Sequence, residues 1–238
     1  MGSLVTPELR ARVRGMAVPI AIGLGRLGLT PNSLTVLGFG IAVIAGFAAS
    51  QQAWVLAGLL VIFGGVFDLF DGALARATNR VSQLGAFLDS VFDRAGEAVL
   101  YIGLASGSVW AGFGEGAIFA AAAMGASFMV SYTRAKSESL GFTPGTGMAS
   151  VGIAPREVRL VILTLGLFLA PSPLRESVPI GAACAGVCEF PQGGSLTMAL
   201  VAITVLATIT TVQRIVHVTR QAPPEAAPAA TPGGDQHP

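Results

Sequence analysis

At 238 residues, 53% hydrophobic and only 11% charged, with a mean hydropathy of +0.70, the chain is far more apolar than a soluble domain, in which about a quarter of residues are charged. That composition identifies an integral membrane protein, and one whose apolar runs are long enough to span as helices, so the expected fold class is all-α. The 14 Lys and Arg, against 13 Asp and Glu, are scattered at segment ends, which excludes the basic face a nucleic-acid binder needs.

Residues 1 to about 30 mix Arg10, Arg12, Arg14 and Arg26 with Leu9, Val13, Met16, Val18 and Ile20, a pattern that predicts an interfacial amphipathic helix in the headgroup layer. No small-residue cleavage site closes the stretch, so it is expected to be retained. Inside it, Gly23-Leu24-Gly25-Arg26-Leu27-Gly28 formally matches the dinucleotide-binding G-x-G-x-x-G. No strand pattern precedes it and no βαβ unit surrounds it, so the match is rejected. Thr30-Pro31-Asn32-Ser33 then reads as a helix start, with a proline and capping side chains ahead of an apolar run.

Six transmembrane helices are predicted, at roughly 33–50, 53–75, 86–109, 113–133, 158–171 and 194–213, given that about 20 residues cross a bilayer. The fifth is short and is expected to begin near Pro155. Six spans put both termini on one side. Thirteen of the 14 basic residues fall on or lean toward that side: the amino-terminal arginines, Arg76, Arg80, Arg94, Arg134, Lys136, Arg156, Arg159, Arg214 and Arg220. Only Arg175 lies opposite, so both termini are expected to be cytoplasmic. The long outer connection from Pro171 to Gly193 holds Cys184 and Cys188. They are either a disulfide, if that face is oxidising, or two unpaired small apolar residues. The tail, 221–238, is rich in Pro and Ala and is expected to be disordered. The expected organisation is therefore 1–30 interfacial, 31–220 transmembrane and 221–238 tail. No internal repeat is visible, which counts against inverted-repeat transporter plans.

Four carboxylates stand out. Asp68-Leu-Phe-Asp71-Gly72-Ala-Leu-Ala75-Arg76 is followed, after eight residues, by Gly85-Ala-Phe-Leu-Asp89-Ser-Val-Phe-Asp93. On helices, Asp68, Asp71 and Gly72 share one face, and Gly85, Asp89 and Asp93 share another. Each Asp at a bilayer centre costs about 2.5–3.5 kcal/mol, so these acids are expected near the cytoplasmic ends of spans two and three, where water can reach them. Four converging negative charges still repel unless cations neutralise them. Oxygen-only ligands favour hard divalent ions, Mg²⁺ first, with Mn²⁺ or Ca²⁺ also fitting. A cation transporter would distribute its acids across the membrane depth, and a non-catalytic scaffold would need neither Asp93 nor the glycines.

The pattern D-x-x-D-G-x-x-A-R, eight residues, G-x-x-x-D-x-x-x-D resembles the signature of the CDP-alcohol phosphotransferases (the CDP-alcohol phosphatidyltransferase family) without a departure at any signature position. The interfacial first helix, the Thr30-Pro31-Asn32 start and six spans also resemble that family. The resemblance implies an enzyme of phospholipid synthesis in the prokaryotic cell membrane. It would transfer a phosphatidyl-type group from a CDP-linked lipid such as CDP-diacylglycerol to an alcohol and release CMP. It further implies two Mg²⁺ or Mn²⁺ ions held by Asp68, Asp71 and Asp89, with Asp93 as general base that also touches a metal. CDP-lipid contacts would come from Asn32, Asp68, Gly72, Ala75, Arg76 and Gly85, and the active site would face the cytoplasm in a homodimer.

The acceptor is sought outside the signature. Ser131-Tyr132-Thr133-Arg134-Ala135-Lys136 ends span four, and Pro155-Arg156-Glu157-Val158-Arg159 starts span five. Together they resemble the phosphate pocket of the prokaryotic phosphatidylinositol-phosphate synthases. The resemblance implies that Arg134, Lys136, Arg156 and Arg159 bind the phosphate of inositol phosphate, Arg through bidentate contacts and Lys as a point charge. The order Arg134 then Lys136 inverts the Lys-then-Arg order of several actinobacterial members, and either cation can hold phosphate. Glycerol 3-phosphate is the alternative acceptor, although the G-K-x-K-T-type segment of the phosphatidylglycerophosphate synthases is missing from Gly141–Gly152. Glu97, one turn beyond Asp93, is expected to pair with Arg94 or to tune the base.

Overall fold

The computed structural model describes residues 7–142, 151–170 and 193–221. All regular structure within them is helical: α1 (Pro7–Arg26), α2 (Pro31–Ser50), α3 (Trp54–Ala77), α4 (Gln83–Trp110), α5 (Gly114–Ser139), α6 (Arg156–Leu169) and α7 (Gly194–Thr219).

Local chemistry sets the helix starts nearest the acids. Thr30 Oγ1 accepts the Ser33 amide at 3.2 Å and Ser33 Oγ accepts the Thr30 amide at 2.9 Å, a reciprocal capping box with Pro31 in the first turn. Ser82 caps α4 by accepting the Gly85 amide at 3.0 Å. Between them the chain reverses after α3 through Asn79 at φ 53°, and the Arg80 amide donates back to the Ala75 carbonyl at 2.9 Å. The Asp68–Asp71 end of α3 and the Asp89–Asp93 start of α4 are thereby held at the same level.

Helices α3, α2, α4, α5, α7 and α6 each pack on the next, and α6 returns to α3, so six helices close a ring with α1 lying outside against α3. Small residues allow the tight approaches. A Cβ on Gly46 of α2 would lie 2.7 Å from the Val99 carbonyl oxygen of α4, and one on Gly103 of α4 would overlap the Gly46 backbone. The main apolar core, with Trp54, Leu104, Phe113, Leu167, Leu196 and Leu200, fills the end of the ring away from the acids. A smaller cluster joins Ala17 and Ala21 of α1 to Leu34, Ala73 and Leu74. The outward faces are apolar: Leu56, Leu59, Ile62, Phe63 and Val66 run along α3 in the open, as lipid-facing residues should.

Each expected apolar segment falls on one of α2 to α7. Four of these, α2, α3, α5 and α7, are long and apolar enough to cross a membrane. Helix α4 is the longest at 28 residues but carries Asp89, Asp93, Arg94 and Glu97, and α6 is helical over 14 residues. Arg175, Cys184, Cys188, most of the Gly141–Gly152 loop and the tail beyond Gln221 lie outside the described residues.

The α2–α4 contact yields a stability prediction. Gly103→Leu must push α2 away at backbone level, and overpacking costs about 1–3 kcal/mol or more. It should lower the thermal unfolding midpoint in detergent by several degrees. Gly125→Leu, on an exposed face with nothing within 4 Å of its Cβ position, should leave the midpoint nearly unchanged.

Candidate active site

The carboxylates gather where α3 ends and α4 begins. One oxygen from each of Asp68, Asp71 and Asp89 lies within 4.8 Å of the others. Asp71 is the deepest, at 6% exposure, and Thr35 of α2 donates its hydroxyl to Asp71 Oδ2 at 2.7 Å. Thr35 escaped the sequence reading although it sits one turn past the capping box. Nothing in the linear pattern says that a threonine 36 positions away faces the second Asp.

Asp93 stands beside this trio in the company of arginines. Arg156, at the first turn of α6, places Nη1 2.6 Å from Asp68 Oδ2 and 2.8 Å from Asp93 Oδ1. Arg94 Nη2 is 3.6 Å from Asp93 Oδ2. One turn deeper, Glu97 accepts Arg94 Nη1 at 2.7 Å and Arg159 Nη2 at 3.2 Å, so the expected pairing of Glu97 with Arg94 is present. Arg94 also donates to Ser131 Oγ of α5 at 2.5 Å. Asp93 and Glu97, four apart on α4, thus face Arg156 and Arg159, three apart on α6, as two rungs. The outer rung is half-exposed and the inner one buried.

The four cations expected to act together are therefore divided. Arg156 reaches the carboxylates. Arg159 is 2% exposed and bonds Glu97 and the Ala154 carbonyl. Arg134 and Lys136 are exposed at the end of α5, Arg134 pairing with Glu138 at 2.9 Å.

The glycines of the pattern open space at the same level. A Cβ on Gly72 would lie 3.2 Å from Arg76 Nη1, so the Arg76 guanidinium lies over that bare backbone. A Cβ on Gly85 would lie 3.3 Å from Asn32 Oδ1 and 3.1 Å from Ser82 Oγ. Asn32 therefore reaches from the start of α2 toward the start of α4. A cavity of about 60 Å³ is lined by Asp68, Asp93 and Arg156 together with Thr35, Gly38, Gly64, Gly65 and Gly96.

The profile of the CDP-alcohol phosphatidyltransferases matches residues 28–212. The chain belongs to the CDP-alcohol phosphatidyltransferase family. It is 38% identical over 156 residues, 66% of this chain and 78% of its relative, to an archaetidylinositol phosphate synthase of Pyrococcus horikoshii. It is 34% identical over 206 residues to a phosphatidylinositol phosphate synthase of Cutibacterium acnes, covering 85% and 91% of the two chains. The fold is similar to crystal structures of the phosphatidylinositol phosphate synthase of Mycobacterium tuberculosis. The form with CDP-DAG bound has a TM-score of 0.68 at 26% identity, covering 90% of this chain and 98% of that one. The complex with manganese and citrate has a TM-score of 0.69 at 26% identity, covering 85% and 88%.

The residues of this phosphatidyltransferase site fit a divalent metal. The trio supplies only hard carboxylate oxygens at close range, the donor set that Mg²⁺ and Mn²⁺ take. Neither Asp71 nor Asp89 forms an ion pair with another side chain among the described residues. Their charge is thus free for a cation.

Thr35 orients the buried member of the trio by a hydrogen bond to a charged group, which is worth about 1.5–3 kcal/mol. Thr35→Val should raise the Mn²⁺ or Mg²⁺ concentration giving half-maximal activity about tenfold, read from a metal titration of turnover.

Proposed function

We propose that this chain transfers a phosphatidyl-type group from a CDP-linked lipid, CDP-diacylglycerol, to the hydroxyl of inositol phosphate and releases CMP. The observation that carries the chemistry is the close trio of Asp68, Asp71 and Asp89 with Asp93 and Arg156 at its edge. The acceptor rests on the relatives, named as archaetidylinositol phosphate synthases in archaea and phosphatidylinositol phosphate synthases in bacteria.

In this reading Asp68, Asp71 and Asp89 would hold two divalent ions, which would supply neutralisation of the pyrophosphate and of the charge on the leaving CMP. Gly72, Ala75 and Gly85 let the nucleotide lie against bare helix backbone, flanked by Asn32 and Arg76. The acceptor oxygen bonds to the lipid-side phosphorus as the bond to CMP breaks. Asp93 takes the acceptor's proton, being the acid of the pattern that stands outside the close trio, beside Arg156. Arg156, Arg134 and Lys136 receive the acceptor's phosphate. Arg159 pairs with Glu97 one turn deeper, and this inner rung keeps α6 in register with α4.

The same reading makes α2 to α7 six spans of a homodimer in a prokaryotic cell membrane, with the acidic end and both termini cytoplasmic. What supports the orientation is that the ends bearing Arg76, Arg80, Arg134, Lys136 and Arg156 meet at one end of the ring, as the positive-inside rule requires. A lipid donor explains the depth of the site: the diphosphate of a CDP-lipid sits at headgroup level while its partner arrives from water.

Purified protein supplied with CDP-diacylglycerol, Mg²⁺ or Mn²⁺ and a panel of alcohols should release CMP with inositol phosphate. Release only with glycerol 3-phosphate would replace the acceptor, and no release with any alcohol would sink the reading. Asp93→Asn should lower kcat by about 10²–10⁴, the usual contribution of a positioned base, and undiminished turnover would remove Asp93 from that role. Arg156→Ala should raise the KM for inositol phosphate tenfold or more while changing that for the CDP-lipid much less. Equal effects on both would mean that Arg156 serves only to neutralise the acids.

A further inference from the structure

Arg214 and Arg220, grouped by sequence as basic residues following the last span, lie on different faces of α7. The inner face holds the segment that leads into α6. Thr210 accepts the Ala154 amide at 3.1 Å, and Arg214, 4% exposed, donates from Nε to the Val151 carbonyl at 3.0 Å and from Nη1 to the Val130 carbonyl of α5. Val151 is thereby fixed against α7. Beside it, on the outer face, a cleft of about 590 Å³ runs along the helix past Ile209, Val212 and Val216 to His217 and Arg220.

The cleft is aliphatic along its length and cationic at its end. Ile209, Val212 and Val216 are exposed. So is Arg220, which forms no ion pair among the described residues. His217 Nε2 accepts from the Gln221 side-chain amide at 2.9 Å, which leaves the ring proton on Nδ1 as a donor. No Asp or Glu is among the described residues that line the cleft. Its length matches one leaflet: eleven residues separate Ile209 from Arg220, about 16 Å at the helical rise, against about 15 Å for half of a hydrocarbon core. The whole of α7, 26 residues long, spans about 39 Å, so its last turns emerge into the headgroup layer. Arg220 therefore stands at the level of lipid phosphates and the aliphatic wall at the level of acyl chains.

We infer that this cleft binds one anionic phospholipid of the cytoplasmic leaflet, with an acyl chain between Val151 and the Ile209–Val216 face and the phosphate at Arg220 and His217. The leaflet rests on the orientation proposed above, and the binding does not depend on which alcohol the enzyme uses. A zwitterionic lipid carries its own cation beside the phosphate and gains less from Arg220, whereas anionic lipids, which enrich the cytoplasmic leaflet, are drawn to it. The fixed second wall at Val151 distinguishes the cleft from an ordinary lipid-facing helix surface, because a chain seated there is held from two sides. The site is also separate from that of the donor: the CDP-lipid contacts lie on α2, α3 and the start of α4, while α7 packs on α5 and α6.

The test titrates the delipidated full chain in detergent with phosphatidylglycerol or phosphatidylcholine of the same chains and counts bound lipid by native mass spectrometry. Three variants are compared: Arg220→Gln, which removes the cation; Val212→Trp, which fills the cleft; and Arg26→Gln, which removes a cation from the end of α1. The wild type should hold one phosphatidylglycerol per chain tenfold or more tightly than phosphatidylcholine. Arg220→Gln and Val212→Trp should each weaken that binding fivefold or more, and Arg26→Gln should stay within twofold of the wild type. Equal affinity for the two lipids would overturn the inference, as would equal losses in Arg220→Gln and Arg26→Gln, which would mean charge attraction without a site. Displacement of the lipid by millimolar inorganic phosphate would assign the cations to a free anion instead. Wild-type binding in a Val212→Trp chain of unchanged unfolding midpoint would overturn it too, since the cleft would then hold something else, such as the chain's own C-terminal segment. Loss of self-association in the Arg220 and Val212 variants, with lipid binding unchanged, would give the face to a second copy. A wild type that releases no CMP with any alcohol would sink the proposed reaction and leave the lipid titration to decide this site by itself.

Discussion

Mutual repulsion among carboxylates is the constraint on which the rest of this structure depends. Asp68, Asp71, Asp89 and Asp93 sit in a bundle whose remaining interior is apolar, and no apolar packing repays the cost of gathering them. They are tolerable only at an end of the ring that water can reach, with arginines close by and hard cations to share. The main apolar core lies at the opposite end, around Trp54, Leu104 and Leu167. The molecule is accordingly polarised along its axis, with adhesion at one end and chemistry at the other.

Small residues and caps convert that constraint into geometry. Gly46 and Gly103 let α2 and α4 touch backbone to backbone, which brings Asn32 within reach of Gly85, and the α2–α3 approach at Gly38 and Gly64 brings Thr35 within reach of Asp71. The capping box at Thr30 and the cap at Ser82 fix where the two helices begin. At the acids, then, glycine has two uses. It permits helix approach deep in the bundle, and beside the acids Gly72 and Gly85 leave room for Arg76 and Asn32 against the helix backbone.

Arginine also has more than one use. Arg156 neutralises Asp68 and Asp93, Arg94 and Arg159 share Glu97, and Arg214 bonds only backbone. These side chains link α3 to α6, α4 to α5 and α6, and α7 to α5. In a medium where helix association gains little from the hydrophobic effect, buried guanidinium groups with several donors each are an effective way to hold such elements in register.

The sequence alone determined the membrane character, the helical class, the positions of α2 to α7 and the acidic cluster with its family. Each of these depends on local spacing: hydropathy over about 20 residues, or carboxylates three and four apart on a helix. The acids' partners could not be read that way. Thr35 faces Asp71 because α2 crosses α3 at Gly38 and Gly64. Arg156 and Arg159, three residues apart and equivalent by pattern, are separated by depth, one reaching the carboxylates and the other closed into the bundle. Arg214, read as a marker of topology, is enclosed between two backbones. Only the tertiary structure decided these roles, because each depends on which carbonyl or carboxylate a neighbouring helix presents at that height, and linear spacing within one helix carries no record of its neighbour's register.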